Sequence, residues 1–96
     1  MEKILIYGHK HWSDCDKTKE FLLRKNAKFV YQDTGESITA LKAFLKFRET
    51  RSEFSEIKER GGIGFPCIVI NNGDKIIVGH NEDALQDLFS GAVWFS

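Results

Sequence analysis

The sequence predicts one α/β domain over residues 1–96, built as a four-stranded mixed sheet with helices on both faces. The first observation is the order of apolar runs and helically spaced segments, which is β-α-β-α-α-β-β-α. The second is the strand–helix–strand start, which requires a parallel strand pair with a right-handed crossover. The third is Asn72-Gly73 between two apolar runs, which favours an antiparallel hairpin.

Residues 3–7 form the first predicted strand, because this apolar run contains β-branched side chains and stops at Gly8. The first helix is predicted at about residues 15–25, with Ser13 or Asp14 as its cap. Its inward-facing side chains, which share helical spacing, are Cys15, Thr18, Leu22 and Leu23.

The middle of the chain predicts one strand and two helices. Residues 28–32 alternate polar and apolar side chains, which is typical of a strand. A helix capped by Ser37 or Thr39 follows, and a shorter helix spans about residues 53–60. The positions at helical spacing are Ile38, Leu41, Phe44, Leu45 and Arg48 in the longer helix, and Phe54 and Ile57 in the shorter one.

The C-terminal part predicts a hairpin and a helix. Strands at residues 67–71 and 75–79 are expected to join with Asn72-Gly73 at the tip. Asn81 is expected to cap a helix over residues 82–89. The apolar tail 91–96 is expected to pack back on the domain.

Composition limits the functional classes. The chain has 14 basic and 14 acidic residues, so no net charge favours binding to nucleic acid or to an anionic membrane. The N-terminal apolar run is too short for a signal peptide or a membrane span, so we expect a cytoplasmic monomer. The two cysteines favour reduced, catalytic or metal-binding thiols over a structural disulfide.

A thiol in the first turn of a helix is the strongest chemical signal in the sequence. Cys15 is predicted to lie where the helix dipole and unpaired N–H groups stabilise a thiolate. Basic residues precede it in the loop that follows the first strand. Trp12 stands three residues before Cys15, where a CxxC motif carries its first cysteine.

Taken together, these segments resemble the glutaredoxins, which are small members of the thioredoxin-fold family. Residues 41–57 form a longer segment that resembles a small group of bacterial glutaredoxin-related proteins. The matching segments are 4–7 (the opening strand), 12–22 (the CPxC helix), 64–70 (the cis-proline loop) and 78–85 (the turn before the last helix).

The resemblance implies thiol-disulfide oxidoreductase chemistry, in redox homeostasis or electron transfer, acting on small thiols or protein disulfides. In glutaredoxins the first cysteine of the motif is the nucleophile and the second resolves the mixed disulfide. Trp12 occupies the nucleophile position and carries no thiol, so a dithiol cycle within the motif is excluded. Such an activity would therefore proceed at most as a monothiol reaction through Cys15. Alternatively, Cys15 is a small, partly buried core residue of the fold.

Cys67 has two interpretations. The resemblance implies a cis bond between Phe65 and Pro66, which would bring Cys67 beside the first helical turn, where it could act as a resolving partner of Cys15. A disulfide would require their Cα atoms to lie within about 7 Å. Alternatively, Cys67 points into the core as the first residue of a buried strand.

The resemblance also implies a glutathione site, at which we expect weak binding or none. His9 replaces the lysine that binds the glycine carboxylate in the family, and Trp12 would overhang the place of the glutathione sulfur. The implied contact positions are His9, Lys10, Phe65, Pro66, Asn81 and Glu82.

Two other functions are compatible with these residues. One is a catalytically inactive glutaredoxin-fold binding module that recognises a partner through a groove between Trp12 and Pro66. The other is a metal-binding protein, although no resident metal is expected. The candidate ligands are His9, His11 and Cys15, with His80 or Cys67 as further donors.

Overall fold

The computed structural model describes residues 3–90, and it confirms the predicted fold class and element order. The strands are β1 (Ile4–Gly8), β2 (Val30–Asp33), β3 (Cys67–Ile70) and β4 (Lys75–Val78). The helices are α1 (Ser13–Arg24), α2 (Ile38–Thr50), α3 (Ser55–Glu59) and α4 (Glu82–Ser90). None of the helices in this part of the chain is long and apolar enough to cross a membrane. The predicted packing of the tail 91–96 lies outside the described residues.

The sheet has the strand order β2-β1-β3-β4. β1 pairs in parallel with β2, and α1 forms the crossover that such a pair requires. β1 pairs antiparallel with β3, and β3 pairs antiparallel with β4. The ends of β1 and β2 therefore lie together beside the start of β3, which is where the loop before α1 begins.

Alternation along the strands creates two cores, one on each face of the sheet. On one face, Ile6 and Ile68 pack with Leu22 of α1 and Leu85 of α4. The opposite core contains Tyr7, Cys67 and Val69 from the sheet, with Ala40 and Phe44 from α2 and with Phe54. Helices thus cover both faces, as predicted.

The inner face of α1 differs from the prediction at one position. Leu23 is 63% exposed, whereas Phe21 is buried beside Leu22. Residues 15, 18 and 22 form one stripe on the helix, and Leu23 is rotated away from it by about 100°. The predicted cap is also wrong: α1 begins after Trp12, which makes no side-chain capping bond, and Ser13 lies inside the helix.

The buried stripe of α2 is also shifted from the prediction. Ser37 caps the helix by accepting a hydrogen bond from the Ala40 N–H at 3.1 Å, as predicted. The fully buried positions are Ala40 and Phe44, whereas Ile38 is 66% exposed and Leu45 faces solvent. This helix has more apolar side chains than core positions, so the surplus remains on its surface.

The hairpin is antiparallel as predicted, but its connection is longer than the predicted tip. Ile70 pairs with Lys75, so four residues connect the strands. Asn71, Asn72 and Gly73 all have positive φ, at 50°, 63° and 121°. Asparagine and glycine tolerate this conformation, so the same residues support a wider loop as readily as a two-residue turn.

Two element boundaries also differ from the prediction. β2 begins at Val30, because its pairing with Leu5 of β1 starts there. The helix predicted at residues 53–60 is divided into a 3₁₀ turn over Ser52–Phe54 and α3. Phe54 is fully buried at the point of division.

Two adjacent leucines give a test of the orientation of α1. Leu22 is 0% exposed and Leu23 is 63% exposed. Leu22→Ala should reduce the free energy of unfolding by about 2–5 kcal/mol, because it leaves a cavity in the core. Leu23→Ala should change it by less than about 0.5 kcal/mol, because no buried contact is lost. Urea unfolding of both variants measures these values, and equal losses would contradict the described orientation.

Candidate functional site

Cys15 is enclosed where β1 ends and α1 begins. Its side chain is 1% exposed. A Cβ atom added to Gly8 would lie 2.8 Å from Cys15 Sγ and 2.8 Å from Tyr31 Oη. A residue larger than glycine at position 8 would displace these atoms, so Gly8 permits this close packing. The thiol of the CxxC-like segment is therefore a packed group and not a surface nucleophile.

The surroundings of Cys15 oppose the sequence-based expectation of a stabilised thiolate. Burial raises the pKa of Cys15, and this is the largest influence on it. The His9 backbone N–H and the Tyr31 hydroxyl donate hydrogen bonds to the sulfur and lower its pKa, but they do not offset the burial. The thiol therefore remains protonated at neutral pH.

Tyr31 is the site residue that sequence reasoning missed. It belongs to β2, and burial, followed by the nearby Cys15, raises its pKa. Lys19 Nζ lies 4.0 Å from the centre of the Tyr31 ring, and this cation–π contact helps to hold the phenol. Strand alternation indicates that Tyr31 and its neighbours face opposite ways, but only the register of β2 against β1 brings this hydroxyl to Cys15.

Cys67 is fully buried in the core between the sheet and α2, which agrees with the core interpretation. It pairs with Tyr7 in the β1–β3 register. Burial raises the pKa of Cys67 to about 12, with Glu53 as the next influence. Both cysteines are free thiols. Their pairing as nucleophile and resolving thiol remains a prediction.

Trp12 and the proline loop come together as the resemblance implied. The Phe65–Pro66 bond is cis. The Trp12 ring stands edge-on to Phe65, with centroids 5.3 Å apart and an interplanar angle of 84°. Phe65 in turn contacts Phe44 of α2, with a centroid distance of 4.6 Å. Trp12 is therefore part of an aromatic cluster with Phe65 and Phe44.

An open groove of about 610 Å³ runs between this aromatic cluster and α2. Trp12, Leu45 and Ile63 line it, and they are 36%, 40% and 41% exposed. These are half of the six large hydrophobic side chains that are exposed in the described part of the chain. Concentration of exposed apolar surface around one concavity is typical of a binding site.

Arg48 of α2 holds the loop that forms one wall of this groove. Its Nε donates to the Ile63 carbonyl at 2.8 Å, and its Nη2 donates to the Gly62 carbonyl at 2.6 Å. The next residue, Gly64, has φ of 105° and packs against Phe54, so its backbone accepts no larger residue without strain. Arg48 therefore fixes the approach to Phe65.

His9 also lines the groove. Its Nδ1 accepts a hydrogen bond from the His11 N–H at 3.1 Å, so the neutral ring carries its proton on Nε2. The ring stacks on Phe65, with a centroid distance of 6.3 Å and an angle of 22°. His9 Nε2 lies close to Gly35, where an added Cβ would be 2.6 Å away. Lys10 is exposed and is not among the groove-lining residues.

The two implied γ-glutamyl positions form a separate structure at the start of α4. Asn81 caps the helix by accepting the Ala84 N–H at 3.1 Å, as predicted. His80 connects two helices, because its Nδ1 is hydrogen-bonded to Thr18 Oγ1 at 2.8 Å and its Nε2 to Glu82 Oε2 at 3.1 Å. Neither Asn81 nor Glu82 is among the residues that line the groove.

The proposed metal ligands are not assembled. Among residues 3–90, no group of three or more His, Cys, Asp or Glu side chains is placed to hold a metal ion. Cys15 is buried, and one nitrogen of His9 already accepts a backbone hydrogen bond. The geometry therefore gives no support to the metal-binding hypothesis.

Removal of the Tyr31 hydroxyl tests the description of Cys15. Tyr31→Phe should raise the pKa of Cys15 further, because the thiolate loses a hydrogen-bond donor. Alkylation of Cys15 by iodoacetamide at pH 8 should slow by about tenfold, which corresponds to a hydrogen bond of about 1.4 kcal/mol. Peptide mass spectrometry of the alkylated protein measures each cysteine separately.

Tyr7→Phe is the matched control, because burial also raises the pKa of Tyr7 but its neighbouring thiol is Cys67. This control should leave the Cys15 rate unchanged. Faster alkylation of Cys15 in Tyr31→Phe than in the unsubstituted protein would show that the hydroxyl acts only as a steric cover.

Comparisons with other proteins give a family and a fold. No protein-family model matches the chain. An uncharacterized protein of Haemophilus influenzae is 30% identical over 77 residues, which cover 77% of this chain and 85% of that protein. A solved glutaredoxin from Methanosarcina mazei has a TM-score of 0.67 and 25% identity, over 88% of this chain and 75% of that chain.

Two further solved structures are similar. A glutaredoxin from Archaeoglobus fulgidus has a TM-score of 0.67 and 24% identity, over 93% of this chain and 87% of that chain. The methanoredoxin of Methanosarcina acetivorans has a TM-score of 0.66 and 24% identity, over 88% of this chain and 81% of that chain. The chain therefore belongs to the same family as the uncharacterized Haemophilus influenzae protein, and it has the thioredoxin-like fold of the glutaredoxins.

Proposed function

We propose that this chain is a glutaredoxin-fold binding protein that receives an extended segment of a partner protein and does not transfer thiols. The observation that carries the proposal is the pairing of Trp12 with Phe65 at the nucleophile position, beside a Cys15 side chain that is 1% exposed. The chain keeps the fold of the glutaredoxins, but an aromatic contact surface stands in place of their reactive cysteine.

Thiol-disulfide exchange requires a thiolate that can approach a disulfide sulfur. Cys15 meets neither requirement, because burial raises its pKa and encloses its sulfur. Cys67 also fails to meet these requirements, because it is fully buried and has a pKa of about 12. Trp12 cannot form a mixed disulfide at all.

The groove supports binding by a segment of extended chain. It is open and lined mainly by apolar side chains. Within residues 3–90, no intramolecular backbone hydrogen bond involves Phe65, although only Pro66 separates Phe65 from β3. An incoming strand can use these groups, since peptides often add to exposed backbone through main-chain hydrogen bonds.

A second candidate function is a slow monothiol reaction through Cys15 with small thiols or protein disulfides. The hydrogen bonds from the His9 N–H and the Tyr31 hydroxyl favour it, because both would stabilise a thiolate once formed. This reaction would require local opening around the sulfur.

Oxidised glutathione separates the two candidates. Binding without thiol transfer predicts that the intact mass of the folded protein stays unchanged after incubation. Trp12→Cys should instead lose two hydrogens, since two thiols and one oxidised glutathione yield an internal disulfide and two reduced glutathione molecules. Intact-mass spectrometry measures both outcomes. Trp12→Cys combined with Cys15→Ser is the matched control, and it should stop at the mixed disulfide with glutathione.

A mixed disulfide on Cys15 of the unsubstituted protein would overturn the proposal in favour of the monothiol reaction. The Cys15→Ser variant identifies the modified residue. An unreactive Trp12→Cys variant would show that more than the missing nucleophile separates this site from an active one.

Reduced glutathione is expected to bind weakly or not at all. Asn81 already accepts the Ala84 N–H in the first turn of α4, and Trp12 packs against Phe65. A calorimetric titration should give no heat beyond dilution at a protein concentration of about 0.1 mM, which corresponds to a Kd above about 1 mM. Stoichiometric, tight binding would show that the anchoring positions of a glutathione site are functional.

A further inference from the structure

We infer that the segment received by the groove is acidic, with a carboxylate that pairs with Arg48 and an apolar side chain that packs on Trp12 and Ile63. This inference rests on the proposed binding function and names the chemistry of its partner. It follows from the charge of the groove, the unused donors of Arg48 and the position of the exposed apolar side chains.

The charge of the groove has one sign. Ten described residues line it, and none of them is acidic. Arg48 is the permanent charge among them, and His9 presents an N–H at Nε2 in its neutral form. The carboxylate of Asp33, which precedes the groove-lining Thr34, accepts the Gly35 N–H at 2.7 Å and is held by its own turn. A ligand carboxylate therefore meets donors and no like charge from the lining.

Arg48 retains donors for such a ligand. Its Nε and Nη2 hold the carbonyls of Ile63 and Gly62. Its Nη1 makes no hydrogen bond to other residues in the described range, and Arg48 forms no ion pair there. A guanidinium that is anchored on one side and unpaired on the other is preorganised to bind a carboxylate.

Exposed apolar side chains line the groove close to Arg48. Arg48 is bonded to the backbone of Ile63, whose side chain is 41% exposed. Trp12 and Leu45 are exposed to a similar degree around the groove. A ligand side chain that covers these groups removes apolar surface from water, which contributes about 25 cal/mol per Å² before the cost of ordering the segment.

Because the bound segment is extended, the spacing between its acidic and its apolar side chain is fixed. Side chains on one face of a strand are two residues apart. A strand that pairs with Phe65 would therefore present its acidic and apolar side chains at positions i and i+2. Peptides with the acidic residue first and with the apolar residue first cover the two possible directions of the strand.

The test uses blocked, fluorescein-labelled peptides of six residues with Leu and Glu two positions apart, in both orders, on a Ser and Thr background. Matched peptides carry Gln or Lys in place of Glu, and a further one carries Ser in place of Leu. Fluorescence polarisation against the full chain gives each Kd. For the better Leu–Glu order, Glu→Gln in the peptide should weaken binding about tenfold, and the Lys peptide should bind more weakly still.

Protein variants assign the effect to Arg48. Arg48→Gln keeps amide donors for the loop carbonyls but removes the charge, so the Glu and Gln peptides should bind equally to it. Arg48→Lys should retain part of the preference. Lys46→Gln is the control, because Lys46 is an exposed cation on the same helix outside the groove lining, and it should retain the full preference. Amide NMR spectra establish that each variant is folded.

The outcomes distinguish the inference from the function on which it rests. If peptides bind and Trp12→Ala abolishes binding, but Glu, Gln and Lys peptides are equivalent, the acidic-partner inference is wrong and the binding function stands. If none of the Glu, Gln and Lys peptides binds at millimolar concentration, the proposed function itself fails. A preference for Glu that survives Arg48→Gln would place the carboxylate elsewhere and overturn the role of Arg48.

Discussion

The packing of Phe65 is the contact on which the arrangement of the site depends. Its ring lies between Phe44 of α2 and the loop that carries His9 and Trp12. Three parts of the chain that are distant in sequence therefore share one aromatic centre. Arg48 reinforces it by holding the preceding loop through two carbonyls. The groove exists because these contacts keep α2 and the start of α1 at a fixed separation.

The fold was predictable because it depends on patterns that are local in the sequence. Apolar periodicity and the Asn72-Gly73 signal give the elements and the strand pairing, and the cap at Ser37 follows from its own residue type. The surplus apolar residues were not assignable, because Leu23 and Ile38 satisfy helical spacing as well as the buried positions do. Which of them is buried depends on how each helix is rotated against the sheet.

The candidate site was predictable only in part, for a similar reason. Cys15 was identified from its place at a helix start, Trp12 from its spacing to Cys15 and Phe65 from the resemblance. The structure brings Trp12 and Phe65 into contact. Tyr31 and Arg48 were not identified as site residues, because neither carries a motif. Their roles arise from strand register and helix orientation. The sequence did not show that Cys15 would be enclosed, and burial raises its pKa where a helix N-terminus alone would favour the thiolate.

The tryptophan that precedes α1, Trp12, also has a genetic consequence. A tryptophan codon and a cysteine codon differ by one nucleotide, and the cis-proline loop and Cys15 are retained around position 12. The step between a thiol-bearing and a thiol-free form of this site is therefore one point mutation. In one direction that mutation removes a nucleophile, and in the same event it supplies the ring that covers Phe65. One nucleotide change at this codon would therefore exchange the aromatic contact with Phe65 for a thiol.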